Sequence, residues 1–170
     1  MIRPATPADL DAVMAIETAS FPTDAWTAES MSAELAYPHS YYVVDEADGE
    51  IVGYAGLRSL PGSPDGDVQT IALAASARGR GRGRALLRAL VAEADARRVR
   101  EVFLEVRADN PVAQRLYESE GFEEIGRRPH YYQPDDVAAV VMRIDVPTWR
   151  GRQGAGSSGA AVPTAGEGRG

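Results

Sequence analysis

Short apolar runs and longer helical patterns alternate along this chain. Residues 41–44 and 51–57 are rich in Val, Ile and Tyr and flank a turn at Asp48-Gly49, which is typical of a β-hairpin. Residues 81–98 differ, because their apolar positions recur at a spacing of three or four residues and form one stripe. That stripe comprises Leu86, Leu87, Leu90, Val91 and Ala94. The pattern therefore predicts both strands and an amphipathic helix.

Capping residues mark where further helices begin and end. Thr6-Pro7 and Asn110-Pro111 each pair an N-cap residue with proline at the first helical position, and Thr27 is a third N-cap candidate. Gly121 ends the helix after Asn110, since glycine adopts the left-handed C-cap conformation most easily. The predicted helices span residues 7–21, 28–35 and 111–120.

The predicted order of elements is β-α-α-β-β-β-α-β-α-β-β. The remaining strands are predicted at residues 2–4, 101–106, 122–127 and 138–144, and in the stretch that ends with residues 71–73. This order favours an α/β fold in which helices flank a mixed sheet in a single domain. From about residue 148 the composition changes to Gly, Ser, Ala and Arg with almost no apolar bulk. We therefore predict a domain over residues 1–147 and a disordered tail over 148–170.

Composition and charge exclude several classes of chemistry. The 170 residues include no cysteine and two histidines, His39 and His130, which excludes thiolate nucleophiles and disfavours a metal site. Lysine is also absent, so all 18 basic residues are arginine. A net charge of −7 argues against general nucleic-acid binding. Without a signal pattern or a long apolar run, we expect a cytoplasmic protein that uses no metal and binds neither membrane nor nucleic acid.

A glycine-rich run follows the predicted strand that ends at Leu73. It reads Arg78-Gly79-Arg80-Gly81-Arg82-Gly83-Arg84 and opens the helix that carries the apolar stripe. Bare backbone N–H groups at a helix N-terminus can hold a phosphate or pyrophosphate without any particular side chain. The run is not a P-loop, which ends in Gly-Lys-Ser/Thr, and it lacks the last glycine of the dinucleotide fingerprint. A solvated Arg/Gly turn is the alternative interpretation.

The pattern Arg78-x-x-Gly81-x-Gly83 resembles the pyrophosphate loop of the GNAT acetyl-CoA-dependent N-acetyltransferases. Residues 104–110 (Leu-Glu-Val-Arg-Ala-Asp-Asn) and 116–122 (Leu-Tyr-Glu-Ser-Glu-Gly-Phe) resemble the signature of the RimI branch of that family. The likeness covers roughly residues 2–145. It implies the GNAT fold, in which a mostly antiparallel sheet contains a splayed parallel pair of strands that binds acetyl-CoA. It also implies acetylation of a protein N-terminus, which in RimI enzymes is the N-terminal alanine of a small-subunit ribosomal protein.

The resemblance implies a role for each matching residue. Glu105 matches the general base, acting through a water, and Tyr117 matches the general acid that protonates the departing CoA sulfur. Asn110 would cap its helix and contact the pantetheine arm. The other implied acetyl-CoA contacts are Ile71, Ala72 and Leu73, where the family's fourth strand bulges, and Arg78, Gly79, Arg80, Gly81, Arg82, Gly83 and Arg84. An exposed strand carboxylate and a core tyrosine are the structural alternatives for Glu105 and Tyr117.

Substrate selection stays open at the level of sequence. In the family the peptide enters between the first two helices and the last hairpin, so Trp26, Tyr131 and Tyr132 are the candidate walls. A plug in the core is the alternative for Trp26. The chain departs from the family pattern at Ala138, where an acidic residue is usual. The competing functions are acetylation of a small-molecule amine or a protein lysine, and a non-catalytic CoA-binding domain.

Overall fold

The computed structural model describes residues 1–157, in which five α-helices pack on the two faces of one seven-stranded sheet. The strands are β1 (Ile2–Pro4), β2 (Ser40–Ala47), β3 (Glu50–Arg58), β4 (Asp65–Leu73), β5 (Glu101–Arg107), β6 (Glu123–Tyr132) and β7 (Val137–Asp145). The helices are α1 (Leu10–Ser20), α2 (Ala28–Ala36), α3 (Arg82–Ala96), α4 (Pro111–Glu120) and α5 (Val146–Ser157). This arrangement confirms the predicted α/β class with a mixed sheet.

One pair of neighbouring strands in the sheet is parallel. The strand order is β1-β2-β3-β4-β5-β7-β6, and every neighbouring pair except β4 and β5 is antiparallel. β4 and β5 pair over three residues, from Asp65 opposite Glu101 to Asp67 opposite Phe103. Both strands continue beyond this point without pairing to each other. They therefore separate and open the sheet, which confirms the predicted splayed pair.

The sheet separates two apolar clusters. In β3, Ala55 and Leu57 join a larger cluster with α3, α4 and α5, whereas Tyr54 joins a smaller cluster with α1 and α2. This division follows from the alternation of side chains along a strand. The predicted stripe of α3 lies in the larger cluster, where all of its members are buried. Both faces of the central strands are thus covered by helices.

Two of the predicted N-caps form the expected hydrogen bonds. Thr27 Oγ1 accepts a bond of 3.1 Å from Ser30 N and opens α2. Asn110 Oδ1 accepts a bond of 3.2 Å from Ala113 N and opens α4. Each oxygen satisfies a backbone donor that the first helical turn leaves unpaired. The Asn110 cap matters for the site, because it fixes where α4 leaves β5.

The first helix begins later than predicted. Pro7–Asp9 form a 3-10 turn, and α1 starts at Leu10. The Asp9 carboxylate turns back to accept a bond of 2.7 Å from Thr6 N and pairs with Arg3 at 2.8 Å. These contacts hold the Asp9 carboxylate against the backbone of Thr6. The turn between them is a 3-10 turn, which is tighter than a turn of α-helix.

Residues 148–157 correct the prediction of a tail from residue 148, because they belong to α5. Trp149 is only 7% exposed and lies in the larger cluster, and Arg150 Nη1 binds Asp95 Oδ1 at 3.0 Å. The composition of this stretch misleads, since a single tryptophan supplies the apolar contact that its Gly, Ala and Arg neighbours lack. Residues 158–170 of the predicted tail lie outside the described residues.

The last hairpin is longer than predicted. β6 continues to Tyr132 rather than ending at residue 127, and Tyr132 pairs with Val137 of β7. The loop that joins the two strands therefore shrinks to residues 133–136. As a result Tyr131 and Tyr132 stand at the end of β6, an edge strand beside β7.

Candidate active site

β4 offers free backbone groups to the opening between the splayed strands. Ala74 N donates to Val52 O of β3 at 2.8 Å, and Leu73 is opposite Gly53. Bonding and non-bonding pairs alternate in an antiparallel ladder, so the N–H groups of Ile71 and Leu73 point away from β3. The N–H of Ala72 points toward β3 instead. Of the three predicted strand contacts, two therefore present a donor to the opening.

The bulge of β4 lies earlier than expected. Gly56 of β3 pairs with Thr70, but the next residue, Leu57, pairs with Val68, so Gln69 is the extra residue. The expectation of a bulge at residues 71–73 is wrong by at least two positions. A bulge bends its strand and increases the local twist. Here it lies just before the end of β4 that pairs with β3 but has no partner on the β5 side.

The glycine loop, residues 78–83, joins β4 to α3. Gly79 and Gly81 both have φ of +77°, in the left-handed region that glycine occupies without strain. Gly81 is the N-cap of α3, and the first turn of α3 contains no acidic residue. The positive end of the helix dipole and its unpaired N–H groups are thus open to an anion.

A cavity of about 470 Å³, here called the glycine-loop cavity, lies between this loop, the end of β4 and helix α4. Ten of the predicted acetyl-CoA contacts line it: Ile71, Ala72, Leu73, Arg78, Gly79, Gly81, Gly83, Arg84, Asn110 and Tyr117. Residues that were distant in sequence are therefore brought to one surface. Ser20 and Phe21, which the sequence analysis did not identify, complete the wall at the end of α1.

The arginines of the loop differ in what they contact. The side chains of Arg80 and Arg82 lie outside the glycine-loop cavity, and Arg82 Nη1 binds the buried Asp45 at 2.8 Å. Arg84 Nη1 binds Glu120 Oε1 at 2.6 Å. Arg78 donates to Leu73 O at 3.3 Å. The guanidinium groups of Arg82 and Arg84 are thus committed to carboxylates, and the loop presents mainly backbone.

Tyr117 faces the glycine-loop cavity from α4. Its ring is 9% exposed and lies 6.0 Å from the ring of Phe122. Burial raises the pKa of Tyr117 to about 12. The phenol therefore keeps its proton at every physiological pH and can serve as a hydrogen-bond or proton donor.

Glu105 opens onto a different cavity. This cavity of about 430 Å³, here called the Glu105 cavity, is lined by the three candidate substrate walls, Trp26, Tyr131 and Tyr132. Its walls also include Asp67, Val68, Gln69, Phe103, Leu104, Arg128 and Val141. β4 connects the two cavities, because residues 67–69 line this one and residues 71–73 line the other. The Glu105 carboxylate binds Arg128 Nε at 3.1 Å.

The aromatic walls are held by carboxylates. A hydrogen bond with Glu105 raises the pKa of Tyr131, and burial adds a smaller effect in the same direction. On the opposite wall, Trp26 N donates to Glu17 Oε1 at 3.1 Å, and the same buried carboxyl accepts a bond from Tyr54 OH. Burial raises the pKa of Glu17. Trp26 also packs against the smaller cluster, so it is part of the core as well as a wall of the Glu105 cavity.

Asp67 is a second carboxylate in the Glu105 cavity that the sequence analysis missed. It pairs with Phe103, two residues before Glu105, so Asp67 and Glu105 project from the same face of neighbouring strands. Burial, together with Asp65 and Glu105, raises the pKa of Asp67. The β4–β5 register was the signal needed to find it. The cavity thus combines two carboxylates with one guanidinium and four aromatic side chains.

The observed site fits acetyl-CoA. Two left-handed glycines and a helix N-terminus face the glycine-loop cavity, as a diphosphate requires. Ser20 Oγ is buried in its wall, and no group among residues 1–157 forms a hydrogen bond with it. Across residues 1–157, no cluster of three or more His, Asp or Glu side chains could hold a metal ion.

None of the helices formed by residues 1–157 has the length and apolar content needed to span a membrane.

Comparison with known proteins agrees with this geometry. Residues 10–122 match the acetyltransferase (GNAT) family. The chain is 40% identical over 124 residues to the N-alpha-acetyltransferase RimI of Mycobacterium tuberculosis, covering 72% of this chain and 77% of that protein. It is 34% identical over 139 residues to a putative [ribosomal protein bS18]-alanine N-acetyltransferase of Bacillus subtilis, covering 81% and 90%.

A solved structure extends the agreement to three dimensions. The crystal structure of the ribosomal-protein-S18-alanine N-acetyltransferase from Escherichia coli is similar to this chain with a TM-score of 0.76 and 27% identity. The match covers 86% of this chain and 93% of that one. The family match spans most of the domain, including β4, the glycine loop and α4. The chain therefore belongs to the GNAT family of acetyltransferases, enzymes that use acetyl-CoA as the acetyl donor.

Proposed function

We propose that this enzyme acetylates the N-terminal α-amino group of a protein, and that the acceptor is the N-terminal alanine of a small-subunit ribosomal protein. One observation carries the proposal: a single strand, β4, lines both the glycine-loop cavity with Tyr117 and the Glu105 cavity. A donor bound in the first cavity and an amine bound in the second would meet along the end of β4 that does not pair with β5. The names of the relatives support the choice of acceptor.

The glycine-loop cavity would hold acetyl-CoA, which supplies an activated acetyl thioester. Backbone N–H groups of the glycine loop and the first turn of α3 would bind its diphosphate. The N–H groups of Ile71 and Leu73 face the opening and would bind the pantetheine arm and the acetyl oxygen. A backbone donor of this kind typically contributes about 3 kcal/mol to the stabilisation of a developing oxyanion.

Glu105 would act on the acceptor amine. An α-ammonium group has an ordinary pKa near 8, so removing its proton is a modest task at neutral pH. Glu105 and Asp67 make the cavity favourable for a cation, while Arg128 balances part of that charge. The Glu105 carboxylate accepts the proton through a water and leaves the amine free to attack. The Asp67 carboxylate would help to hold the ammonium group before it loses its proton.

Tyr117 would act on the leaving group. Its phenol is neutral and points from α4 into the cavity that would hold the CoA sulfur. It would donate its proton toward the departing thiolate. Because no cysteine is present in the sequence, acetyl transfer through a cysteinyl intermediate is not available. Direct attack by the amine, with both substrates bound together, is the mechanism that these residues support.

The test is an activity assay with the purified full chain. We expect acetyl-CoA to acetylate a synthetic peptide that begins Ala-Arg, but not the same peptide with a blocked N-terminus or a polyamine. Glu105→Gln should lower kcat/KM at least about a hundredfold, as loss of a general base does. Glu101→Gln, on the same strand but outside the cavity, should change it less than about twofold.

Two results would contradict the proposal. Turnover of polyamines or of an internal lysine, without turnover of free N-termini, would favour the competing acetyltransferase functions. Binding of acetyl-CoA without turnover of any amine would favour a CoA-binding domain. For the ribosomal acceptor, mass spectrometry of protein N-termini should show loss of one ribosomal N-terminal acetyl group in cells that lack the gene.

A further inference from the structure

Arg107, at the end of β5, contacts three aspartates from three different loops. Its Nε and Nη2 bind the two oxygens of Asp109 at 3.0 and 3.1 Å. Nη2 also binds Asp135 Oδ2 at 3.1 Å, and Nη1 lies 3.6 Å from Asp24. The guanidinium carbon stands 5.3 Å from the ring centre of Tyr132. A planar guanidinium with five donors is the side chain able to join this many partners.

Two of the three loops adjoin walls of the Glu105 cavity. Asp24 lies in the α1–α2 loop, two residues before Trp26, and Asp135 lies in the β6–β7 loop after Tyr132. A direct hydrogen bond of 2.7 Å from Thr23 Oγ1 to Asp135 Oδ2 joins the same two loops. Arg107 therefore lies where the opposite walls of the cavity meet, on the same strand as Glu105.

The β5–α4 turn, which places Asn110 in the glycine-loop cavity, is bound by Arg107 through Asp109 but also has contacts that do not use the guanidinium. The β5–α4 turn is held by Gln114 Nε2, which donates to Arg107 O at 3.1 Å and to Ala108 O at 3.2 Å. The Asn110 cap adds its bond to Ala113 N. These bonds use backbone oxygens and a different side chain, so loss of the Arg107 guanidinium leaves them in place. We therefore expect loss of the guanidinium to affect mainly the Glu105 cavity.

We propose that Arg107 is a positioning residue for the acceptor: it fixes the separation between the α1–α2 and β6–β7 loops, so that the peptide amine is delivered to Glu105. Its half-buried guanidinium acts through the aspartates and does not touch the reacting atoms. The proposal rests on the proposed function, since that function defines the acceptor. It assigns a role to the arginine of the Leu-Glu-Val-Arg stretch that the catalytic assignment leaves unused.

The first measurement requires no activity. Hydrogen exchange of the full chain, followed by mass spectrometry, is compared for the parent protein, Arg107→Gln and Arg127→Gln. Arg127 also pairs with a carboxylate, Glu124 at 2.7 Å, but on exposed β6 away from the cavity. We expect faster exchange at residues 21–27 and 133–136 in Arg107→Gln alone, with residues 78–83 unchanged. Unchanged exchange in both loops would overturn the proposal.

The second measurement separates positioning from general destabilisation. Arg107→Gln should raise the peptide KM about tenfold or more, with kcat within about threefold and the acetyl-CoA KM within about twofold. Arg107→Lys should restore only part of the lost peptide affinity. It keeps the positive charge, but a single ammonium cannot bridge three carboxylates. A peptide KM equal to that of Arg127→Gln, or a parallel tenfold rise in the acetyl-CoA KM, would overturn the proposal.

These two arms also distinguish this proposal from the proposed function. If the parent protein acetylates no peptide at all, the proposed function fails. The exchange experiment still decides whether Arg107 holds the two loops together. If the parent protein is active and the exchange is unaffected, the role of Arg107 is wrong while the proposed function stands.

Discussion

The glycine-loop cavity and the Glu105 cavity share one strand but are built in opposite ways. The first draws on one segment of the chain within residues 71–84, where glycines expose backbone N–H groups, together with one face of α4 and the end of α1. The second is formed by side chains from the α1–α2 loop, β4, β5, β6 and β7. Backbone groups bind a phosphate whatever the neighbouring side chains are, whereas an assembly of side chains selects its ligand. A donor that is common to a family can therefore be bound mainly by backbone groups. An acceptor that differs between members requires a specific set of side chains.

Tyr117→Phe should have the largest effect on activity. Removing the phenol proton donor should lower kcat about a hundredfold or more, while the Kd of acetyl-CoA stays within about twofold. Steady-state kinetics and calorimetry measure the two quantities. Tyr37→Phe, at the end of α2, is the matched control and should leave both unchanged. An unaltered kcat in Tyr117→Phe would remove the residue from the mechanism.

The pH dependence of kcat sharpens the same prediction. Because burial raises the pKa of Tyr117 to about 12, the phenol remains protonated as the pH rises, and its loss begins only near that value. We therefore expect kcat to show no decline from Tyr117 ionisation up to pH 10. A decline with an apparent pKa near 9 or 10 that disappears in Tyr117→Phe would contradict this expectation.

Trp149→Ala should lower the stability of the whole domain and not the function of one cavity, in contrast to the site variants. The side chain is buried in the larger cluster, so its removal should lower the free energy of unfolding by about 3–5 kcal/mol. Denaturant unfolding measures this loss. Arg150→Ala, which breaks an exposed pair with Asp95, should cost less than about 1 kcal/mol. Equal stability of the two variants would show that the Trp149 side chain does not stabilise the core.

Gly81→Val should damage the glycine-loop cavity alone. A side chain at φ of +77° costs about 1–2 kcal/mol in strain, so the loop is expected to shift and weaken its diphosphate contacts. The acetyl-CoA KM should rise about tenfold while the peptide KM stays within about twofold. Arg80→Ala, whose side chain lies outside the cavity, should have the smallest effect, less than about threefold. A larger effect of Arg80→Ala would show that the loop binds through side chains.

Local signals were sufficient to predict most of the fold and the glycine loop, whereas the acetyl-CoA contacts at residues 71–73, Asn110 and Tyr117 came from the resemblance to a family. The caps at Thr27 and Asn110, the stripe of α3 and the loop glycines each act within a few residues, so their spacing is visible in the sequence. The tail prediction failed at α5 because one residue of the predicted tail, Trp149, is buried beside Val146 and joins the core. Composition averages over a stretch and does not register one such contact.

The Glu105 cavity could be predicted only in part. Trp26, Tyr131 and Tyr132 were found through the resemblance to a family, but Asp67 and Arg107 required the structure. Asp67 faces the cavity because of the β4–β5 register. The proposed role of Arg107 depends on partners that are distant in sequence, such as Asp24. Pairing register and contacts between distant loops are not encoded in any short window. The sequence therefore describes the donor side better than the acceptor side.

The division of the core by the sheet has an evolutionary consequence. Trp26 belongs to the smaller cluster, formed with α1 and α2, whereas the face of α4 beside the glycine loop packs in the larger one. Phe21 and Ala72 pack with the smaller cluster and also line the glycine-loop cavity. Elsewhere in the smaller layer, substitutions can reshape the wall at Trp26 without disturbing the acetyl-CoA contacts across the sheet. A lineage built on this scaffold can thus inherit its acetyl source unchanged while it diversifies the proteins it modifies.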